Sequence, residues 1–173
     1  AYVSFQELAT RISHRNTGKI SNDPIAEQML TRVSLDENLH MLFYRNLLGA
    51  AIELEPNAAI RAITDVVTNF QMPGAGMPGW GRKSVQIALA GIYDLQLHLE
   101  DVVNPVLRAW NVFNLEGLNA DGEKARLELS AFLENAAQDV SRFNEKRDAH
   151  FDRLAARGQD PIRLKTLADR KGD

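Results

Sequence analysis

The sequence predicts an all-α fold, and three observations carry that reading. Apolar residues recur at three and four positions along most of the 173 residues, the period of a helix with one buried face. Runs of alternating apolar and polar residues, the mark of a half-buried strand, are missing. The 11 glycines and six prolines mostly fall between the periodic stretches, where the backbone must leave the helical conformation. A hydrophobic content of 45% with a net charge of −3 supplies apolar surface for one core and sets the chain apart from disordered sequences.

The elements follow in order. A first helix is predicted over residues 3–16, with Gly18 as its stop. Asn22-Asp23-Pro24 restarts the chain, Asp23 as a cap and Pro24 at the first helical position. A long helix is predicted over 24–55, because Ile25, Met29, Val33, Leu39, Leu42, Phe43, Leu47 and Ile52 keep a helical stripe; at 1.5 Å per residue it spans roughly 45 Å. Pro56 ends it, and residues 57–71 form the next helix. The glycine- and proline-rich stretch 72–81 reads as the one clear loop, with Met72 and Met77 as packing residues at its flanks. Helices are predicted over 82–102 and 104–113. A turn at 119–122 precedes two more helices reaching about residue 157. The organisation is then one domain over 1–157 and a polar, loose tail over 158–173.

The composition excludes several classes of function. Without cysteine there is no disulfide scaffold, and a reducing cytoplasm fits. The longest apolar run, residues 87–93, is about a third of the length of a membrane span, and no secretory leader is visible. Twenty basic against 23 acidic residues give no global signal for nucleic acid. The chain opens on Ala1-Tyr2-Val3 without methionine, inside a predicted helix, which reads either as a trimmed start or as the later part of a longer chain.

Among four histidines (His14, His40, His98 and His150), one stands in a chemically suggestive setting. Glu37 and His40 lie three residues apart on the long helix, so both side chains share one face a turn apart. A carboxylate and an imidazole so placed can ligate one metal ion, and Glu-x-x-His is the inward-facing motif of di-iron carboxylate bundles. The bare motif is weak evidence, since 11 glutamates and four histidines give about 0.25 such pairs by chance. Its apolar neighbours Leu35, Leu39, Leu42 and Phe43 strengthen it, because an unpaired charge among them is costly. Glu7, with Thr10 a turn further on, is a second candidate that reads by pattern alone as a surface glutamate. His14 continues that face and reads as a structural hydrogen-bonding residue. His98 and His150 sit among charged neighbours and read as surface residues.

Taken together, several stretches resemble the soluble acyl-carrier-protein desaturases, the ferritin-like di-iron enzymes of plant plastids and actinobacteria. They are Phe-Gln-Glu-Leu-Ala-Thr-Arg-Ile-Ser-His-Arg-Asn-Thr at 5–17, Asp-Glu-Asn-Leu-His at 36–40, and Leu-Glu-Pro-Asn at 54–57. Phe-Gln-Met-Pro at 70–73, Trp110 and Leu-Glu-Gly-Leu-Asn-Ala-Asp-Gly-Glu-Lys-Ala at 115–125 follow in the family's order. The likeness covers roughly residues 3–147. It departs at Asn38 and Leu39, where the family usually has basic residues, at Arg15, where a small residue is common, and after about Arg157.

The resemblance implies a ferritin-like helical bundle in which two iron ions per complete protomer are held by four glutamates and two histidines. Glu7 matches the second lone glutamate ligand, Glu37 and His40 match the second Glu-x-x-His, and Thr10 matches a threonine beside the oxygen-binding position. Asp36 matches an acidic residue expected to orient a histidine ligand. The first lone glutamate and first Glu-x-x-His have no match. The chain therefore reads as the C-terminal portion of such an enzyme, with two of four ligand-bearing helices and the accessory helices. Their partners are expected from an N-terminal half on another segment or chain, or from a symmetry mate. The implied reaction is O₂-dependent insertion of a double bond into an acyl chain carried on acyl carrier protein, with electrons from a ferredoxin-like donor, in a cytoplasmic homodimer. The isolated chain is expected to be inactive. Two alternatives stay open: a non-enzymatic helical module that dimerises or binds acyl carrier protein, and another ferritin-like di-iron oxidase or an iron-storage protein.

Overall fold

The computed structural model describes residues 1–164, and every element among them is helical. Helix α1 (Tyr2–Ile20) and helix α2 (Pro24–Leu54) form an antiparallel hairpin. The restart at Asp23 is as the sequence predicts: Asp23 Oδ1 accepts from the backbone N–H of Ile25 at 2.8 Å and of Ala26 at 3.2 Å, with Pro24 opening the helix. Gly18 is not the stop that was expected. Helix α1 continues through it to Ile20, and Asn22, at φ 53°, makes the turn. Gly18 serves the crossing of the two helices instead, since a Cβ there would lie 3.2 Å from Glu27 Cα and 3.3 Å from Leu30 Cβ.

Helix α3 (Pro56–Thr68) starts directly at its proline and lies against the long final helix. The helix expected over 82–102 is interrupted. Helix α4 (Trp80–Leu89) ends where Gly91 adopts a left-handed conformation (φ 72°), a common helix stop. The chain restarts at Asp94, whose side chain caps the turn α5 (Leu95–Leu97) through Leu97 N–H at 2.8 Å. A wider π-helical segment follows (His98–Val103), then α6 (Asn104–Ala109), shorter than the expected 104–113. The Gly91 and Asp94 punctuation was present in the sequence but masked by apolar neighbours on both sides.

Helix α7 (Ala120–Ala155) is a single helix of 36 residues where two were expected. The predicted turn at 119–122 is its cap: Asn119 Oδ1 accepts from Gly122 N–H at 2.9 Å. Asn57 Oδ1 accepts from Asn119 N–H at 2.8 Å, tying this cap to the start of α3. Of the expected tail, residues 158–164 are described and return to the α4 end, where Leu164 N–H donates to Ala90 O at 3.0 Å; residues 165–173 lie outside the described part.

The core lies where α1, α3, the π segment, α6 and α7 converge. Phe5, Ile60, Ile63, Val102, Val106, Leu107, Val112 and Leu129 are essentially inaccessible, the kind of burial that contributes about 1.5–3 kcal/mol per large side chain. Trp110 meets Phe5 edge-on, with ring centroids 5.5 Å apart, and its indole N–H donates to Arg45 O at 2.8 Å. Thr64 is fully buried, its Oγ1 2.9 Å from Ile60 O and 3.0 Å from Ala125 O, so it ties α3 to α7. One face of α2 is left out of this core. Ile25, Leu39, Phe43, Leu47 and Leu54 stand exposed along it, Ile25 at 79% and Leu54 at 80%.

Candidate metal centre and adjoining cavity

The α1–α2 hairpin brings Glu7 onto Glu37 and His40. One donor atom from each of the three lies within 4.8 Å of the others. His40 Nδ1 stands 3.4 Å from Glu7 Oε2 and 3.7 Å from Glu37 Oε2. From two turns along α1, His14 Nε2 approaches Glu37 Oε1 at 3.6 Å. The two carboxylate side chains are largely buried, 13% and 18% exposed, while His40 is open at 58%. Glu7 is thus no surface glutamate.

Two like charges held this close, away from water, perturb one another. Burial, and after it the neighbouring Glu37 carboxylate, push Glu7 up from its ordinary 4.5 to about 7, against the opposing pull of His40. Glu7 Oε2 is buried and makes no hydrogen bond among the described residues, which is costly for a carboxylate. A cation bound between these atoms would remove both costs. Two carboxylates and an imidazole are also a donor set that suits iron, so the residues present fit such an ion.

The sign of the Glu7 shift gives a stability prediction. A carboxyl group whose folded pKa lies above its unfolded value stabilises the fold fully below the unfolded value, and that contribution is lost as pH rises through the folded one. Metal-free protein should therefore lose on the order of 1 kcal/mol between pH 4.5 and 8 at this site. Glu7→Gln should flatten that loss in thermal melts recorded with chelator at the two pH values. A variant that melts in parallel with the parent would contradict the burial of this charge.

The other sequence-predicted residues take the following places. Thr10 Oγ1 lies 3.0 Å from both Gln6 O and Glu7 O, so its proton is engaged on its own helix. Asp36 reaches Arg32 Nε at 3.8 Å and is half exposed. No histidine is within ion-pair distance of it among the described residues: Asp36 shares a face of α2 with His40, four residues on, but turns back toward Arg32. His98 corrects the expectation of a surface residue. Its ring stacks on Phe70 at 4.6 Å between centroids, its Nδ1 is 2.8 Å from Tyr93 Oη, and burial pushes its pKa down to about 4. His150 lies beside Phe151 and is partly buried. Met72 packs against the core as expected, whereas Met77 is half exposed.

Sequence reasoning missed the cavity to which His98 belongs. About 990 Å³ in volume, it is lined by Phe70, Met72, Trp80, Val85, Ile92, Leu95 and Phe143, with Ser13 and Thr17 of α1 on one side and Tyr93, Asp94 and His98 on another. Thr10, Ser13 and Thr17 recur at three and four on α1, so they form a strip beside the Glu7 face. Ser13 is only about 9 Å along the axis from Glu7. A usable signal was the cluster of large apolar residues flanking the glycine-rich loop. Asp94, on the wall, is held by Arg147 of α7 at 3.8 Å, with both side chains nearly buried.

The sequence profile of a family described as fatty acid desaturase matches residues 1–157. The chain belongs to that family. It is a desaturase-family chain with the all-α, ferritin-like architecture, and similar proteins carry consistent names. It is 46% identical over 158 residues, 91% of its length, to DesA1 of Mycobacterium tuberculosis, named as an acyl-(acyl-carrier-protein) desaturase. It is 26% identical over 88% of its length to the chloroplastic stearoyl-(acyl-carrier-protein) 9-desaturase 6 of Arabidopsis thaliana. It is 27% identical over 84% of its length to the chloroplastic palmitoyl-(acyl-carrier-protein) 4-desaturase of Coriandrum sativum. This desaturase-family chain spans 47%, 40% and 39% of those three proteins, about half their length or less. No described helix is long and apolar enough to cross a membrane.

Proposed function

We propose that residues 1–157 form the C-terminal portion of an acyl-carrier-protein desaturase and that Glu7, Glu37 and His40 are part of its di-iron ligand set. The observation that carries this reading is the convergence of the three donors around a buried Glu7 oxygen that makes no hydrogen bond among the described residues. The remaining ligands are assigned to two further helices outside this sequence. The exposed stripe along α2 supports that, since a ligand-bearing helix is expected to bury the face beside its ligands. Bound iron would supply the O₂ activation needed to remove hydrogen from an unactivated methylene, which side-chain acid–base chemistry does not reach.

The protein's own groups do the rest. Glu7 gives up its proton to become a ligand, and His14 steadies Glu37. Thr10 sits a turn from Glu7 on the side of the cavity, where we place the oxygen-binding position. The apolar cavity takes the acyl chain of a carrier-bound substrate and excludes water from it. Electrons from a ferredoxin-like donor, a homodimeric state and a cytoplasmic location complete the reading. Its test is a paired assay with ferredoxin, reductase, O₂ and acyl carrier substrate. The complete protomer, anaerobically loaded with ferrous iron, should hold two irons and form unsaturated product; residues 1–173 alone should form none. A complete protomer that binds no stoichiometric iron would instead favour a non-enzymatic carrier-binding module. Iron uptake without any acyl product would favour another di-iron oxidase.

A further inference from the structure

The cavity contains a polar pair that the metal centre does not use. Tyr93 Oη and His98 Nδ1 are 2.8 Å apart on its wall. The imidazole is clamped between that bond and the face of Phe70, at the first residue of the π-helical segment, a distortion often found at functional positions. Phenol is the stronger acid of the two, so Tyr93 O–H donates and Nδ1 accepts. This fixes the tautomer with the proton on Nε2. Burial keeps the ring neutral, its pKa pushed down to about 4. Among the described residues Nε2 has no hydrogen-bond partner. The imidazole thus offers the wall a neutral N–H donor beside Phe70, Trp80, Leu95 and Phe143, with the Gln71 amide also among the lining groups.

We propose that His98 is a specificity-determining residue whose Nε2–H donates to a carbonyl oxygen on an otherwise apolar, acyl-type ligand in this cavity. The inference rests on the reading of the cavity as an acyl site and adds to it a group that tells a carbonyl-bearing chain from a plain hydrocarbon. A carbonyl suits the position because it accepts without carrying charge, whereas a charged ligand group would be costly against these aromatic walls. Tyr93 acts through His98 as a positioning residue. Removing its hydroxyl would leave Nδ1 unpaired and free the tautomer.

The test uses the purified protein and two matched probes, 2-undecanone and undecane, followed through the emission of Trp80 in the cavity wall. The other tryptophan, Trp110, lies in the core against Phe5. His98→Phe keeps the stacking surface but removes both nitrogens. It should weaken 2-undecanone binding about tenfold, the size of one hydrogen bond, and leave undecane within about twofold. His98→Gln, which returns an N–H near the same place, should bring the ketone back to within about threefold of the parent. Thermal melts confirm that each variant is folded. Equal weakening of both probes by His98→Phe would reduce His98 to a packing residue and overturn the proposal, as would no effect on either. If the parent protein binds undecane but His98→Phe leaves the ketone untouched, the donor is refuted while the cavity reading stands. If the parent binds neither probe, the cavity reading falls and the proposal with it.

Discussion

Glu37→Ala, made in the complete protomer, should lower iron affinity at least about a hundredfold while leaving the helices intact. The residue supplies one of the donor atoms clustered within 4.8 Å and is the charge that helps raise Glu7. Losing it removes one of the clustered donor carboxylates and frees Glu7 to ionise at lower pH. The comparison therefore has two readouts. In competitive chelator titrations the parent's apparent affinity should climb between about pH 6 and 8, as the Glu7 proton is displaced. In the variant the residual binding should be weaker and should level off at lower pH. Substituting His40 should weaken binding without moving that pH dependence in the same direction, because His40 opposes the Glu7 shift. An unchanged affinity and two retained irons after Glu37→Ala would remove it from the ligand set.

The second large effect concerns the register of α7. Leu129 and Leu127 are two residues apart on one helix, yet Leu129 is fully buried and Leu127 is 69% exposed. Leu129→Ala should cost about 2–5 kcal/mol, because the methylenes removed leave a cavity in the core around α3 and α7. Leu127→Ala should change stability by no more than about 0.5 kcal/mol. Urea unfolding of the two variants side by side checks this, with the slope expected to stay constant if only the folded state is affected. Equal losses at both positions would mean that α7 is rotated from the orientation described.

How far the sequence could be read depended on how local the cause was. The Asp23–Pro24 start, the Pro56 break and the Glu37–His40 pair rest on neighbours within a turn, and each was legible. Gly18 reads as a helix stop, but its role is set by Glu27 and Leu30 across the hairpin rather than by its own helix. The break at Gly91 and Asp94 was hidden by apolar residues on both sides, and the unity of α7 by a cap that looks like a turn. Glu7 carries no local sign of burial; its partner lies 30 residues away, and the family resemblance, not its local pattern, gives it a ligand's role. The charged neighbours Glu100 and Asp101 make His98 read as a surface residue, yet a π-helical segment beginning at His98 turns those to solvent and the imidazole inward.

The hairpin also fixes an order of events as the chain folds. Glu7, Glu37 and His40 come from two helices joined by a three-residue turn, so they can meet on the fast timescale of local helix pairing. The cavity is different: its wall needs Ser13 of α1 and Phe143 of α7, nearly the whole described chain apart. Closing that long loop carries a larger entropic cost and waits for α7 to dock. The donor cluster and the cavity wall should therefore separate in hydrogen-exchange experiments, with the hairpin amides protected even in openings that release the C-terminal half of α7.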